Sequence, residues 1–267
     1  LEVRRARVVP QISVPYVNLV PLAREGFNAR MSAPAGGRKM GELLAERIEN
    51  EIVASGWKVG QVIGSEAELC ERYGVSRAVF REAIRLVGHH GVAEMRRGPG
   101  GGLVVVEPNV DAAVRAVLLN LEYLKISPSQ MIEARSAIEV ACVRAAIKAL
   151  TKTGEAAIRE HMDNEVEMIL AGWNPEKPSE DYPSNRFHLL LAELTGSPAM
   201  VMFVQILGRV TSRHSSPVGS AEDLKERALQ IHRVHMRIAE AVLARDADTA
   251  ERRLRRHVGA IEGYLNR

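Results

Sequence analysis

The chain has 267 residues, of which 46% are hydrophobic, 26% charged and only 4% aromatic. That length suits two domains with aliphatic cores, and the hydrophobic share is ample to fill them, which sets a wholly disordered chain aside. No apolar run approaches a membrane span, and a formal net charge of +3 is too small to argue for nucleic acid by itself.

Residues 1–38 carry six Lys/Arg against two Asp/Glu, net +4, and Pro10, Pro15, Pro21 and Pro34 interrupt any helix. This stretch reads as a disordered basic arm that adds phosphate affinity, or as an upstream extension before a start at Met31 or Met40. The segment lacks the continuous apolar core of a secretory signal. Residues 39–107 hold nine basic and ten acidic groups, and residues 108–267 hold 21 of each. The positive surplus therefore sits in the arm.

Residues 66–72 (EAELCER) predict a short helix with Leu69 and Cys70 toward a core. Gly74 can take the left-handed conformation that a tight turn between helices needs. Ser76 is a candidate N-cap for a second helix. On that helix Arg77, Arg81 and Arg85 recur every four residues, while Val79, Phe80, Ile84, Leu86 and Val87 can pack inward. One side buried and one side lined with guanidinium groups suits a helix lying in a DNA groove. Beyond Gly91, Val92 to Met95 alternates like a strand, residues 96–102 (RRGPGGG) cannot be helical, and Leu103 to Val106 is a second strand. The outcome is a β-hairpin wing with a glycine-rich tip, where Arg97 supplies charge and the glycines allow close approach to a phosphate or groove floor. Within residues 76–98 there are five basic and two acidic groups, so the basic patch is local.

Pro108-Asn109 marks a boundary, and a connecting helix with Val110, Val114, Val117, Leu118 and Leu121 fills residues 108–125. From Ser127 onward strand signals are missing and helices follow one another. They start at Ser127-Pro128, cover 152–172 in one or two pieces, and run again over 185–194 and 198–213. Two long final helices are predicted at about 221–244 and 246–266, with Asp246 as N-cap between them. The expected fold is mainly α: an N-terminal winged helix-turn-helix over 39–107 with a small β-hairpin, a linker helix over 108–125, and an all-α antiparallel bundle of six or seven helices over 126–267. Cys70 and Cys142 fall on helices of different domains and read as small core residues in a reducing cytoplasm.

Three histidines of the bundle stand out: His188, His235 and His257. His235 lies eleven residues before Asp246 and His257 eleven after it. Two antiparallel helices folded at Asp246 bring both imidazoles to one height, as in a metal or anion site inside a bundle.

Residues 41–106 resemble the winged helix-turn-helix of the GntR superfamily of bacterial transcription regulators. The matching pieces are Ile48 to Gly56, Val62-Ile63-Gly64-Ser65-Glu66, Gly74-Val75-Ser76-Arg77, Arg81-Glu82-Ala83 and the wing. The resemblance implies operator contacts from Ser65, Ser76, Arg77 and Arg81, and at the wing tip from Arg97 and Gly98. Ala67 and Ala78 stand where fatty-acid-type members carry an arginine and a hydroxyl residue, so the operator preference is expected to differ from theirs.

Residues 126–262 resemble the effector-binding FCD domain of the FadR subfamily, through Glu133-Ala134-Arg135, Ile138-Glu139, Phe187-His188, His235, Asp246 and His257. That resemblance implies a divalent metal, zinc, nickel or manganese, held by His188, His235, His257 and an Asp four residues before His188. Ser184 occupies that place here, and a hydroxyl is a poor ligand for these ions. Three outcomes stay open: a three-histidine metal completed by water or effector, recruitment of Asp181, or a metal-free site in which the histidines bind an anion. Arg135 is the first candidate partner for an effector carboxylate and Arg213 the second, while a salt bridge from Arg135 to Glu139 is an equal alternative for the former.

The expected function is a homodimeric, cytoplasmic transcription regulator, a repressor by family habit. It is expected to bind a short inverted repeat of double-stranded DNA and to change affinity when a small organic acid enters the helical domain. Two alternatives come from other classes. A metal-dependent hydrolase would use an open metal position, with only Glu139 and Glu240 as candidate bases. A purely architectural DNA binder would respond to no ligand.

Overall fold

The computed structural model describes residues 39–108, 110–171, 183–213 and 220–265. The arm at residues 1–38, Asp181 and His214 lie outside the described residues, as do the side chains of Ser184 and Arg213. The chain divides into two compact units between Arg115 and Ala116.

The N-terminal unit starts with helix α1, Met40–Ala54, whose Leu44, Ile48 and Ile52 recur every four residues and are buried. After strand β1, Val62–Gly64, come helices α2, Glu66–Tyr73, and α3, Arg77–His89. Each of these helices is started by a serine. Ser65 accepts from the Glu68 amide while Glu68 accepts from the Ser65 amide, a reciprocal capping box. Ser76 accepts from the Val79 amide. Gly74 sits between them at φ 65°, the left-handed conformation that only glycine adopts without cost. On α3, Phe80, Ala83 and Val87 repeat at three- and four-residue steps and are buried. They meet Leu44, Ile48, Leu69 and Leu103 in one core, which Cys70 only borders.

Strands β2, Ala93–Arg96, and β3, Gly102–Val105, form the expected hairpin, with Ala93 opposite Val105 and Arg96 opposite Gly102. The sheet has a further strand: β1 pairs antiparallel with β3, giving the order β1-β3-β2. This three-residue strand is too short for alternation to reveal. At the hairpin tip a Cβ on Gly101 would lie 2.4 Å from the Arg96 carbonyl oxygen, so the turn closes only around a glycine.

Helix α4, Asp111–Leu124, spans the division between units. Of the apolar residues expected on one side of it, only Val114 is buried. The C-terminal unit holds helices α5, Pro128–Ala149; α6, Lys152–Leu170; α7, Pro183–Glu193; α8, Pro198–Arg213; α9, Ala221–Leu243; and α10, Ala247–Leu265. The segment after Lys152 is thus a single helix. Helix α10 packs on α5 and α9, and α6 on α9. The shared core includes Val143, Ile158, Phe187, Ile238, Val242 and Leu254. Asp246 Oδ1 accepts from the Thr249 amide at 3.0 Å and so starts α10. Arg245 reaches from the same turn to the carbonyls of Ile147 and Leu150.

Candidate functional site

On the N-terminal unit Ser76, Arg77, Arg81, Arg85, Arg97 and Gly98 are exposed, and Ser65 is half-buried. Both serine oxygens accept backbone amides, which leaves each hydroxyl hydrogen free to donate. Arg81 keeps 72% of its side chain exposed, and its Nε donates to Glu66 Oε1 at 3.1 Å. That bond ties the guanidinium to α2 through Nε and leaves the two terminal nitrogens outside it. In the wing Arg96 pairs with Glu94 at 2.9 Å. Gly98 takes φ 98° next to the exposed Arg97.

In the helical unit the three histidines meet. His188 comes from α7, His235 from α9 and His257 from α10. His257 Nε2 lies 3.2 Å from both His188 Nε2 and His235 Nε2. The three are buried, His235 completely. The midpoint at Asp246 therefore does place His235 and His257 side by side.

Behind two of the imidazoles stands a buried carboxylate. Glu139 Oε2 is 2.6 Å from His188 Nδ1, and Glu139 Oε1 accepts from Arg135 Nε at 2.6 Å. Glu165 Oε1 is 3.0 Å from His235 Nδ1, and Glu165 Oε2 is 2.8 Å from His232 Nδ1. Burial alone would raise the Glu139 carboxyl, but Arg135 and His188 hold it well below the usual carboxylate range. Burial raises the Glu165 carboxyl, with the His232 hydrogen bond opposing it. Burial, reinforced by His188, keeps His235 well below the ordinary imidazole value, and His257 is depressed in the same way. Burial thus favours the neutral form of His235 and His257 where the three Nε2 atoms converge.

Arg135 is buried in its pair with Glu139, as the salt-bridge alternative anticipated. Glu139 lies within the cluster, whereas Glu240 pairs loosely with Arg253 at 3.8 Å. Glu165 carries no motif and was not singled out from the sequence. Its partners lie 67 and 70 residues away, a separation at which no local spacing rule operates.

Residues 41–104 match the gntR family of bacterial regulatory proteins, and residues 130–260 match the FCD domain. The chain belongs to the GntR family of bacterial regulatory proteins.

This GntR-family chain is similar to the Glc operon transcriptional activator of Escherichia coli strain K12, at 26% identity over 235 residues, 86% of the chain and 90% of that protein. It is similar to the transcriptional repressor NanR of Enterobacter sp. strain 638 at 24% identity over 238 residues, 85% and 86% of the two chains. Among solved structures, Streptococcus agalactiae GntR aligns with a TM-score of 0.58 and 19% identity, covering 84% and 99% of the two chains, a likeness of fold. The GntR-family chain is thus a DNA-binding transcriptional regulator with an effector-binding FCD domain. Its domains and relatives are regulators, and they do not favour the hydrolase alternative. No helix among the described residues is long and apolar enough to cross a membrane.

Proposed function

We propose that this regulator is a cytoplasmic homodimer that represses transcription from a short inverted repeat, and that its grip on DNA is set by a metal-assisted organic acid site in the helical unit. Each winged unit reads one half-site. Helix α3 enters the major groove with Arg77 and Arg81, Ser65 and Ser76 donate to phosphates, and Arg97 and Gly98 serve the wing contact.

The observation that carries the effector half is the convergence of His188, His235 and His257. At a metal–nitrogen distance of about 2.1 Å, ligands at right or tetrahedral angles stand about 3.0–3.4 Å apart. The two 3.2 Å separations fall in that range. Neutral imidazoles backed by carboxylates are also the donor set that zinc, nickel or manganese takes. With Ser184 in place of an aspartate, the three imidazoles leave positions for water or for an effector carboxylate. Arg135 and Arg213 are its candidate partners. Such a ligand acts on DNA binding only if it favours one arrangement of the dimer over another.

The test is operator binding by fluorescence anisotropy, with DNA from upstream of the protein's own gene. Untagged protein is measured metal-free, with Zn2+, and with Zn2+ plus each of a panel of small carboxylates. One or more acids should shift affinity several-fold in wild type and not in His235→Ala. Unchanged affinity across the panel would favour the architectural alternative.

A further inference from the structure

The imidazoles on either side of His257 are held by unlike partners. Behind His188, the charge of Glu139 faces the Arg135 guanidinium at 2.6 Å. Behind His235, Glu165 faces a second imidazole, His232, at 2.8 Å. Glu165 comes from α6, which supplies none of the three converging histidines. Its side chain is 1% exposed, and that of His232 is 12% exposed.

When Glu165 is ionised it can only accept. Its two oxygens then place a hydrogen on Nδ1 of both His232 and His235. The second nitrogen of His235 is then a bare lone pair, aimed at the place where His257 Nε2 stands 3.2 Å away. A ligand histidine needs this orientation, and an outer carboxylate commonly sets it. Charge points the same way. Three neutral imidazoles bring no negative charge to a divalent cation, and neither does Ser184. Glu139 is already matched by Arg135, which leaves Glu165 as the carboxylate whose hydrogen-bond partners among the described residues are imidazoles alone.

We propose that Glu165 is a positioning residue for this site: it holds His235 in the Nδ1–H tautomer, with His232 as its clamp, and it supplies the negative charge that a divalent cation at the three Nε2 atoms requires. The charge half rests on the metal reading above; the tautomer half does not.

Two measurements on the untagged full-length chain separate these halves. The first is 15N NMR of histidine-labelled, metal-free protein. Wild type should show His232 and His235 both protonated at Nδ1. Glu165→Gln offers one acceptor and one donor, so one of the two rings should switch tautomer. Two unchanged rings would overturn the positioning role. The second is titration with Co2+, followed by its visible absorption. Glu165→Gln should bind roughly 10- to 100-fold more weakly than wild type, with the metal-free melting temperature and far-UV spectrum as folding controls. Wild-type affinity in Glu165→Gln, alongside a loss in His235→Ala, would overturn the charge role while leaving the metal reading intact. A wild type that takes no Co2+ overturns the metal reading and the charge role together, and the NMR result then decides the tautomer alone. Should Glu165→Gln not fold, His232→Ala replaces it. Loss of the clamp should weaken Co2+ several-fold, and undiminished affinity would count against Glu165.

Discussion

Arg135 and Arg81 carry the same side chain into opposite settings. Only 3% of the Arg135 side chain is exposed, and its charge is answered by Glu139. Removing Glu139 strands a buried guanidinium, a change that costs about 3–5 kcal/mol. Glu139→Ala should therefore lower the melting temperature of the metal-free helical unit by about 10 °C or more. A shift within a degree or two by calorimetry would mean that the pair is hydrated. Arg81 is largely exposed, and its bond to Glu66 is a surface ion pair worth about 0–1 kcal/mol. Arg81→Ala should leave stability nearly unchanged. If Arg81 reads a base, operator binding should weaken by about 1–3 kcal/mol, with discrimination relaxed at one base pair. Equal weakening on every sequence would reassign it to a phosphate.

At the scale of elements, the helix ends were the most legible parts of the sequence. Gly74 does adopt the left-handed turn and Ser76 does cap α3. A cap and a turn are decided within four residues, so spacing is enough to find them. The two long last helices were legible for the same reason, and Asp246 gave the register that pairs His235 with His257. Strand β1 and the Glu165 contacts were not legible. The strand exists only because β3 lies beside it. Glu165 gains its meaning only when α6 packs on α9. The wing lies between these cases: its glycines marked a turn, but not which of them is indispensable. Gly101→Ala would drive a Cβ into the Arg96 carbonyl. It should weaken operator binding several-fold in the same anisotropy assay. The melting of the helical unit should not move. Ser76→Asp offers a second dissection. Aspartate is as good a cap as serine, so α3 should persist by circular dichroism while the added charge repels phosphate.

For the whole molecule, two cores in two units predict two calorimetric transitions. Zn2+ at 100 times its dissociation constant should stabilise only the helical one, by about 2.7 kcal/mol. A single transition raised as a whole would show the units to melt together. The helical unit should also respond to pH. His235 and His257 lie below their ordinary value of 6.5 when folded, so the unfolded chain binds their protons first. Their contribution to stability is complete above about pH 6.5 and is lost as pH falls below it. The raised Glu165 carboxyl acts in the opposite sense, shedding stability as pH rises through its folded value. Metal-free melting temperatures between pH 5 and 8 should fall toward the acid end if the two histidines dominate. The Glu66–Arg81 bond bears on something slower than binding itself. A chromosome presents phosphate everywhere, and a protein that clings to all of it searches slowly. With an acid already beside Arg81, indiscriminate duplex gains little from that side chain. If Arg81 reads a base, only a stretch whose base edges satisfy the remaining nitrogens offsets the loss of Glu66. On the proposed groove reading, helix α3 gives up some general adhesion, and the protein stays free to travel until it meets its own site.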